Sequence, residues 1–93
     1  MRHFIIVKFK EEINKKELLD PVKKLFNEAL NIEGVTKIEV HLSNSDLPNR
    51  YDLMIEMTLT KEALKVYDSS QMHKDWKEKY GESIANKTIF DCD

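Results

Sequence analysis

Glycine, proline and cysteine are scarce in this chain, and each scarcity removes a class of function. Only two glycines, two prolines and one cysteine occur among its 93 residues. Because Gly34 and Gly81 lie far apart, the sequence has no glycine-rich phosphate loop and no nucleophile elbow. The single Cys92 excludes an intrachain disulfide framework and suits a reducing compartment. We therefore expect a cytoplasmic protein in which Cys92 is a structural or incidental thiol.

An excess of one charge and a long apolar run are also missing. Fifteen basic and seventeen acidic residues give a net charge of −2, which argues against a surface for nucleic acid. The N-terminal apolar run, Phe4–Val7, is broken by Lys8, so we expect no signal peptide, and no segment predicts a membrane partner. His3, His41 and His73 show no H-x-E spacing, and no C-x-x-C occurs, so we predict neither a metal site nor a cofactor.

The first predicted strand, Arg2–Lys10, is apolar on both faces. It places His3, Ile5, Val7 and Phe9 on one face, with Phe4 and Ile6 on the other. A strand of this kind needs packing partners on both sides. A chain of 93 residues, which we expect to form one domain over residues 1–93, has helices enough for only one side. The uncovered side therefore predicts a homodimer.

The apolar pattern predicts two helical regions and three further strands. Asn14 and Glu17 resemble a capping box, but Asp20 before Pro21 favours a helix that begins at Asp20 after a turn over 14–19. The other predicted elements are a strand Thr36–Leu42, a loop over 43–50, a strand Tyr51–Thr60, a helical region capped by Thr60 and again by Ser70 and ending at Gly81, and a strand Lys87–Cys92. The predicted core stripes are Val22, Leu25, Phe26, Ala29 and Leu30 in the first helix, and Met72, Trp76 and Tyr80 in the last.

The element order β-α-β-β-α-β predicts an α+β fold. Right-handed crossovers would give a ferredoxin-like, four-stranded antiparallel sheet with both helices on one face and the first and third strands central. RNA-recognition modules share this topology, but they surround sheet aromatics with basic residues. Here Asp52 and Glu56 lie beside Phe4 and Met54, so we expect no nucleic-acid partner.

The sequence resembles the stress-responsive α/β-barrel (Dabb) family over nearly its whole length. Members commonly begin with a histidine-bearing strand that ends V-x-F-K, and end in a strand resembling F-D-x. Here His3, the segment Lys8–Lys10, and Phe90 with Asp91 occupy these positions. In the family's Y-x-x-H-P-x-H-like stretch, Tyr67 and His73 match the tyrosine and the final histidine.

This stretch departs from the family pattern at two positions. Ser70 replaces the first histidine and Gln71 replaces the proline. The resemblance implies a homodimer whose two sheets pack face to face as a dimeric α/β barrel. Some plant relatives are polyketide cyclases that work without a cofactor, and wider relatives include haem-degrading and quinone-forming monooxygenases.

We expect an apolar pocket for a small molecule between the sheet and the helices. His73 is the predicted general base, Tyr67 the donor to a developing oxyanion, and His3 a residue that orients the substrate. The predicted apolar lining is Ile5, Val7, Phe26, Val40, Ile55, Trp76 and Ile89. His41 is predicted to lie on the surface or in an interface.

Three functions stay open on this evidence. The first is a cofactor-independent cyclase or lyase acting on a carbonyl compound. The second is a non-catalytic, stress-related binding or oligomerisation protein, favoured by the replacements at Ser70 and Gln71. The third is a haem or quinoid monooxygenase-like protein, suggested by His73 and Trp76 on one helix. The pattern does not identify the ligand.

Overall fold

Alternating apolar residues build a sheet whose two central strands are its most buried. A computed structural model describes all residues, 1–93. Its elements are β1 (Arg2–Phe9), α1 (Lys15–Asn27), a 3-10 turn (Glu28–Asn31), β2 (Val35–Leu42), β3 (Leu53–Leu59), α2 (Lys61–Asp68), α3 (Gln71–Tyr80), a 3-10 turn (Gly81–Ser83) and β4 (Ile84–Cys92). The strands lie in the order β2-β3-β1-β4, and all neighbours are antiparallel. The predicted ferredoxin-like topology, with the first and third strands central, is confirmed.

Of the two starts of α1 that the sequence allows, the earlier one at the Asn14 cap is confirmed and the later one at Asp20 is wrong, because the helix begins at Lys15 and contains Pro21. The Asn14 side chain accepts a hydrogen bond from Lys16 N at 3.2 Å and caps this earlier start. The proline removes one hydrogen bond from the helix interior. The helix nevertheless continues across it, because Leu18 extends the apolar stripe back by one turn and packs against the core.

Other details also differ from the sequence prediction, among them β3, which spans Leu53–Leu59 rather than Tyr51–Thr60. Leu30, predicted to be in the core, is 46% exposed, because the chain tightens into a 3-10 turn there and the helical period of 3.6 no longer applies. The last strand begins at Ile84 rather than Lys87, because pairing with β1 continues past a bulge between Lys8 and Phe9. Thr60 and Ser70 cap α2 and α3 as predicted.

The hydrophobic core lies between the sheet and the helices. Its largest fully buried side chains include Tyr67, Phe26, Leu53, Ile55 and Met57. Each such apolar side chain contributes about 1.5–3 kcal/mol through burial. None of the helices combines the length and apolar character that crossing a bilayer needs.

A close approach at Gly34 joins the start of β2 to the start of α2. Gly34 has φ +96°, and a Cβ there would stand 2.7 Å from Thr60 Oγ1 and 3.0 Å from Ala63 Cβ. Thr60 in turn caps α2 by accepting from Ala63 N at 3.1 Å. Only glycine meets both the backbone and the space requirement here.

The opposite face of the sheet carries no helix. On this open face Phe4 and Ile6 of β1 and Met54 of β3 are only partly buried, and Phe90 of β4 is 57% exposed. The ring centroids of Phe4 and Phe90 lie 6.1 Å apart, and the two rings form an apolar patch. The second apolar face of β1, seen in the sequence, is therefore the part of the sheet that the helices leave uncovered.

Candidate functional site

A cavity of about 350 Å³ lies above β1 and β4 and beneath α2 and α3. This volume is at the lower end of the range for small-molecule sites, roughly 300–1,000 Å³. Six of the ten residues predicted from the sequence line it, namely His3, Ile5, Tyr67, His73, Trp76 and Ile89. The three predicted polar groups therefore converge on one space.

The other four predicted lining residues lie outside this cavity. Val7, Phe26, Val40 and Ile55 are packed in the core, and none is more than 9% exposed. Val40 and Ile55 belong to β2 and β3, whereas the cavity lies over the β1–β4 half of the sheet. The sequence alternation identifies the helix-facing side of each strand but does not show which part of it the helices leave open.

Tyr67, near the C-terminal end of α2, presents a buried hydroxyl without a partner. The residue is 1% exposed, and its Oη makes no hydrogen bond in the protein. Burial, with a smaller contribution from the Asp68 carboxylate, raises the pKa of Tyr67 above its ordinary value. The hydroxyl therefore stays protonated, and its donor is unused in the wall of the cavity that Tyr67 lines, although less than 1 Å² of the oxygen is accessible.

His73, in the first turn of α3, presents the complementary acceptor. Its Nδ1 lies 3.0 Å from the backbone carbonyl oxygen of Asp68. Because a carbonyl oxygen only accepts, Nδ1 carries the proton and Nε2 keeps its lone pair in the neutral ring. Burial, followed by the positive charge of Lys77, lowers the pKa of His73 and favours this neutral form. The His73 and Tyr67 rings meet edge to face, with centroids 4.8 Å apart.

Ser70 fixes the junction between these two residues. Its hydroxyl donates to the Tyr67 carbonyl oxygen at 2.7 Å and accepts from the His73 backbone N–H at 3.2 Å. The serine that replaces the first histidine of the family-like stretch thus caps α3 and sets the spacing of the donor and the acceptor. Its capping role is readable from the sequence, but its contact with both site residues is not.

His3 completes the polar wall through a partner on the neighbouring strand. It lies opposite Asp91 in the β1–β4 register, and its Nδ1 donates to Asp91 Oδ1 at 2.5 Å. His3 is 7% exposed, and its ring centroid lies 6.0 Å from that of Tyr67. The carboxylate fixes the orientation of the imidazole. Asp91 belongs to the F-D-x ending that resembles the family pattern, but only the strand register shows that it pairs with His3.

The rim of the cavity adds groups that the sequence did not indicate. Leu64 and Asp68 come from α2, Lys77 from α3, and Lys87 from β4. Three larger depressions elsewhere, of about 590, 600 and 400 Å³, are lined by neither a histidine nor a tyrosine. A smaller depression of about 130 Å³ is lined by His41 and Tyr51, but the Tyr51 hydroxyl is already bonded to Thr88 Oγ1. The 350 Å³ cavity brings together a histidine and a tyrosine whose hydroxyl has no partner, the two kinds of group that general acid–base chemistry requires.

A family model supports the grouping that the fold suggests. The model of the stress responsive A/B barrel domain (Dabb) matches residues 1–93. No curated protein sequence gives a match to this chain.

Solved structures with the same fold come from bacteria and plants. A Dabb family protein from Mesorhizobium loti has a TM-score of 0.74 and 20% identity, over 99% of this chain and 93% of that chain. A dimeric ferredoxin-like protein of unknown function from Jannaschia sp. has a TM-score of 0.80 and 17% identity, over 99% and 96%. A hydroxynitrile lyase from Passiflora edulis has a TM-score of 0.74 and 12% identity, over 96% and 87%. At these identities the likeness concerns the fold alone.

Proposed function

The chain belongs to the stress responsive A/B barrel (Dabb) domain family, and on that basis we propose that it acts as a homodimer with one small-molecule pocket in each chain. Within each pocket, we propose, the protein performs cofactor-independent proton transfer on a carbonyl compound, as a cyclase or a lyase. His73 is the proposed base, Tyr67 the donor to the oxyanion, and His3 the residue that orients the substrate. The buried, unpartnered hydroxyl of Tyr67 beside the neutral ring of His73 is the observation that carries this proposal.

The proposed dimer interface is the open face of the sheet. Its central apolar residues, Phe4, Ile6 and Met54, are partly exposed in the single chain, and Phe90 extends the patch onto β4. Covering this patch gains roughly 25 cal/mol per Å² of apolar surface. Bacterial proteins of the same fold are described as dimeric, which supports this assignment.

The reaction begins with a carbon acid next to a carbonyl group. His73 Nε2 removes the α proton, so the C–H bond breaks, an N–H bond forms, and the electron pair moves towards the carbonyl oxygen. The Tyr67 hydroxyl donates a hydrogen bond to that oxygen and stabilises the enolate. In the cyclase form the enolate carbon attacks a second carbonyl of the same molecule, and the His73 imidazolium returns the proton to the new alkoxide.

The lyase form is the reverse carbon–carbon step. His73 takes the proton of a hydroxyl group, the adjacent carbon–carbon bond breaks, and the carbanion formed is protonated by the imidazolium. A hydroxynitrile lyase among the proteins of this fold favours the lyase form. Both forms require one neutral base and one neutral donor on the same side of the ligand, and the directions of the two pKa shifts supply them.

Hydrogen–deuterium exchange offers a direct test of the proposed chemistry. Aromatic ketones and linear poly-β-ketones are first screened by thermal shift, because a ligand that binds the native state raises its stability. The compounds that bind are then incubated with the protein in D₂O, and loss of the α-proton signal is followed by NMR. We expect exchange with the parent chain and with Lys79→Gln, an exposed change on α3 outside the cavity, and no catalysed exchange with His73→Gln or Tyr67→Phe. Exchange that survives in His73→Gln contradicts the assignment of the base.

The dimer is tested separately on the open face. Phe90→Arg places a charge at an already exposed position, so the protomer should fold while association is lost. Leu30→Arg is the matched control, since Leu30 is a similarly exposed apolar residue outside the sheet. Sedimentation should show a dimer for the parent and for Leu30→Arg. A folded parent monomer at micromolar concentration contradicts the proposed assembly.

A non-catalytic binding protein is the second candidate. The observation in its favour is that Ser70 and Gln71 stand where relatives carry histidine and proline, and that Ser70 serves as a helix cap. Trp76 is the only tryptophan and lines the cavity, so its fluorescence reports ligand binding independently of turnover. Ligands that quench Trp76 without any enzyme-dependent exchange of their α protons would favour this second candidate.

A further inference from the structure

Three side chains of types that can ligate a metal, Glu39, His41 and Glu56, meet on the open face. None of them lines the cavity. Glu39 and His41 are two residues apart on β2, so they project from the same side of the strand. Glu56 on β3 lies directly opposite Glu39 in the strand register. The spacing i, i+2 on one strand with a third residue on the next is a compact way to bring three donors together on a sheet.

The donor atoms stand at distances that suit one metal ion. His41 Nε2 lies 3.4 Å from Glu39 Oε2 and 3.7 Å from Glu56 Oε1. One ligand atom from each of the three residues lies within 4.8 Å of the others. In a tetrahedral zinc site with bonds of about 2.0–2.2 Å, neighbouring ligand atoms stand roughly 3.4 Å apart. The two His41 distances match this spacing, whereas the two carboxylate oxygens, up to 4.8 Å apart, would have to close by up to about 1.4 Å around an ion.

Each carboxylate directs one oxygen to this centre and the other to a basic side chain. Glu39 Oε1 lies 2.6 Å from Lys37 Nζ, and Glu56 Oε2 lies 3.9 Å from Arg2 Nη1. The side chains of Lys37 and Arg2 are 63% and 49% exposed, and surface ion pairs of this kind contribute only about 0–1 kcal/mol. In the single chain they therefore compete only weakly with a divalent ion.

The sheet itself favours a cation at this position. Two carboxylates directly opposite each other on neighbouring strands repel, and the Glu56 side chain is only 19% exposed. A divalent ion between them removes the repulsion and takes His41 Nε2 as a third ligand.

We propose that Glu39, His41 and Glu56 form a site for a divalent transition metal, with zinc the ion whose geometry fits best. The three side chains leave one coordination position for water or for a group from another molecule. Histidine spacing along the chain predicts no metal site here, because Glu56 comes from the neighbouring strand and only the strand register brings it to Glu39. The proposal does not depend on the chemistry of the cavity, but the site lies on the open face, beside Phe4 and Met54, so the proposed dimer would place the ion at its interface.

Metal titration of the full-length chain tests the proposal. The background is Cys92→Ser, so that the thiol does not contribute, and the probes are Zn²⁺, followed by calorimetry, and Co²⁺, followed by its visible absorption. We expect one ion per chain and a tetrahedral Co²⁺ spectrum that Zn²⁺ displaces. Since loss of an outer-shell partner alone costs about 10–100-fold in affinity, we expect His41→Ala and Glu56→Gln each to weaken zinc binding by at least roughly 100-fold.

The control is Glu62→Gln, which removes an exposed carboxylate on α2 and should leave the affinity unchanged. Circular dichroism of each variant checks that the fold is intact. The proposal is overturned if the parent binds no zinc, if His41→Ala and Glu56→Gln bind it as tightly as the parent, or if His73→Ala rather than His41→Ala abolishes binding, which would place the ion in the cavity.

Discussion

Replacing Tyr67 by phenylalanine should make the protein more stable and less active. The Tyr67 hydroxyl is buried and has no hydrogen-bond partner in the protein. Phenylalanine keeps the ring and its packing against Phe26, His3 and His73, at centroid distances of 6.4, 6.0 and 4.8 Å. Only the unpartnered polar group is removed.

The size of the effect follows from the cost of that burial. An unpaired hydroxyl transferred from water to the interior costs about 1–3 kcal/mol. Tyr67→Phe should therefore raise the free energy of unfolding by about 1–3 kcal/mol, and for a chain of this length each kcal/mol corresponds to roughly 4–8 °C in Tm. A residue retained at such a cost is typical of a functional site.

Urea denaturation, followed by Trp76 fluorescence and far-ultraviolet circular dichroism, measures this difference. All variants are compared at one protein concentration, because the stability of an associating protein depends on its concentration. The control is Tyr51→Phe, whose exposed hydroxyl is already bonded to Thr88 Oγ1 at 2.8 Å. We expect no gain there and a loss of up to about 1 kcal/mol.

The two tyrosine variants should thus move stability in opposite directions. A Tyr67→Phe variant less stable than the parent by 1 kcal/mol or more, beyond experimental error, would mean that the hydroxyl is satisfied in the native state and serves the scaffold. In that case the main support for a ligand-facing donor in the cavity is lost, whatever the variant does to activity.

Three more predictions concern the site and its supports. In an NMR titration His73 should show a pKa below 6.5. The stability linked to this residue should fall as the pH drops from 6.5 through that lower pKa, because the unfolded chain takes up the proton first. Lys77→Gln should raise the pKa of His73, and an unchanged pKa would refute the electrostatic coupling. Gly34→Ala should destabilise the fold by more than 1 kcal/mol, since its φ is +96° and a Cβ would meet atoms at 2.7 Å, whereas Gly81→Ala, with open space around it, should be neutral or slightly stabilising in the same denaturation assay. Ser70→Ala should cost about 1 kcal/mol as a lost cap and should also weaken ligand quenching of tryptophan fluorescence, whereas an unchanged quenching curve would limit Ser70 to a capping role.

Local sequence patterns were sufficient to predict the strands of the sheet and the N-caps of α2 and α3. The element order with right-handed crossovers predicted that β1 and β3 are central, and the alternation within them showed which residues share a face. Thr60 and Ser70 act within a single turn, so their roles depend only on neighbouring residues. These features are decided by short-range geometry, which a sequence displays directly.

Features that depend on long-range packing were not predictable in the same way. The continuation of α1 across Pro21 depends on where Leu18 packs, and the local preference of Asp20 and Pro21 for a helix start is overridden. Ile5 and Val7 are equivalent in the alternating pattern, yet only Ile5 reaches the cavity. The partnership of His3 with Asp91 depends on the register of strands distant in sequence.

The short junction held by Ser70 places part of the cavity wall between two helices, outside the strands of the sheet. Tyr67 belongs to one helix, His73 to the next, and a single hydroxyl tethers their backbones. Exchange of the exposed Asp68 in this segment would change the rim of the cavity without touching a strand of the sheet or the buried Tyr67 and Met72. The lining of the cavity can therefore diverge at the α2–α3 junction while the strands of the sheet are retained.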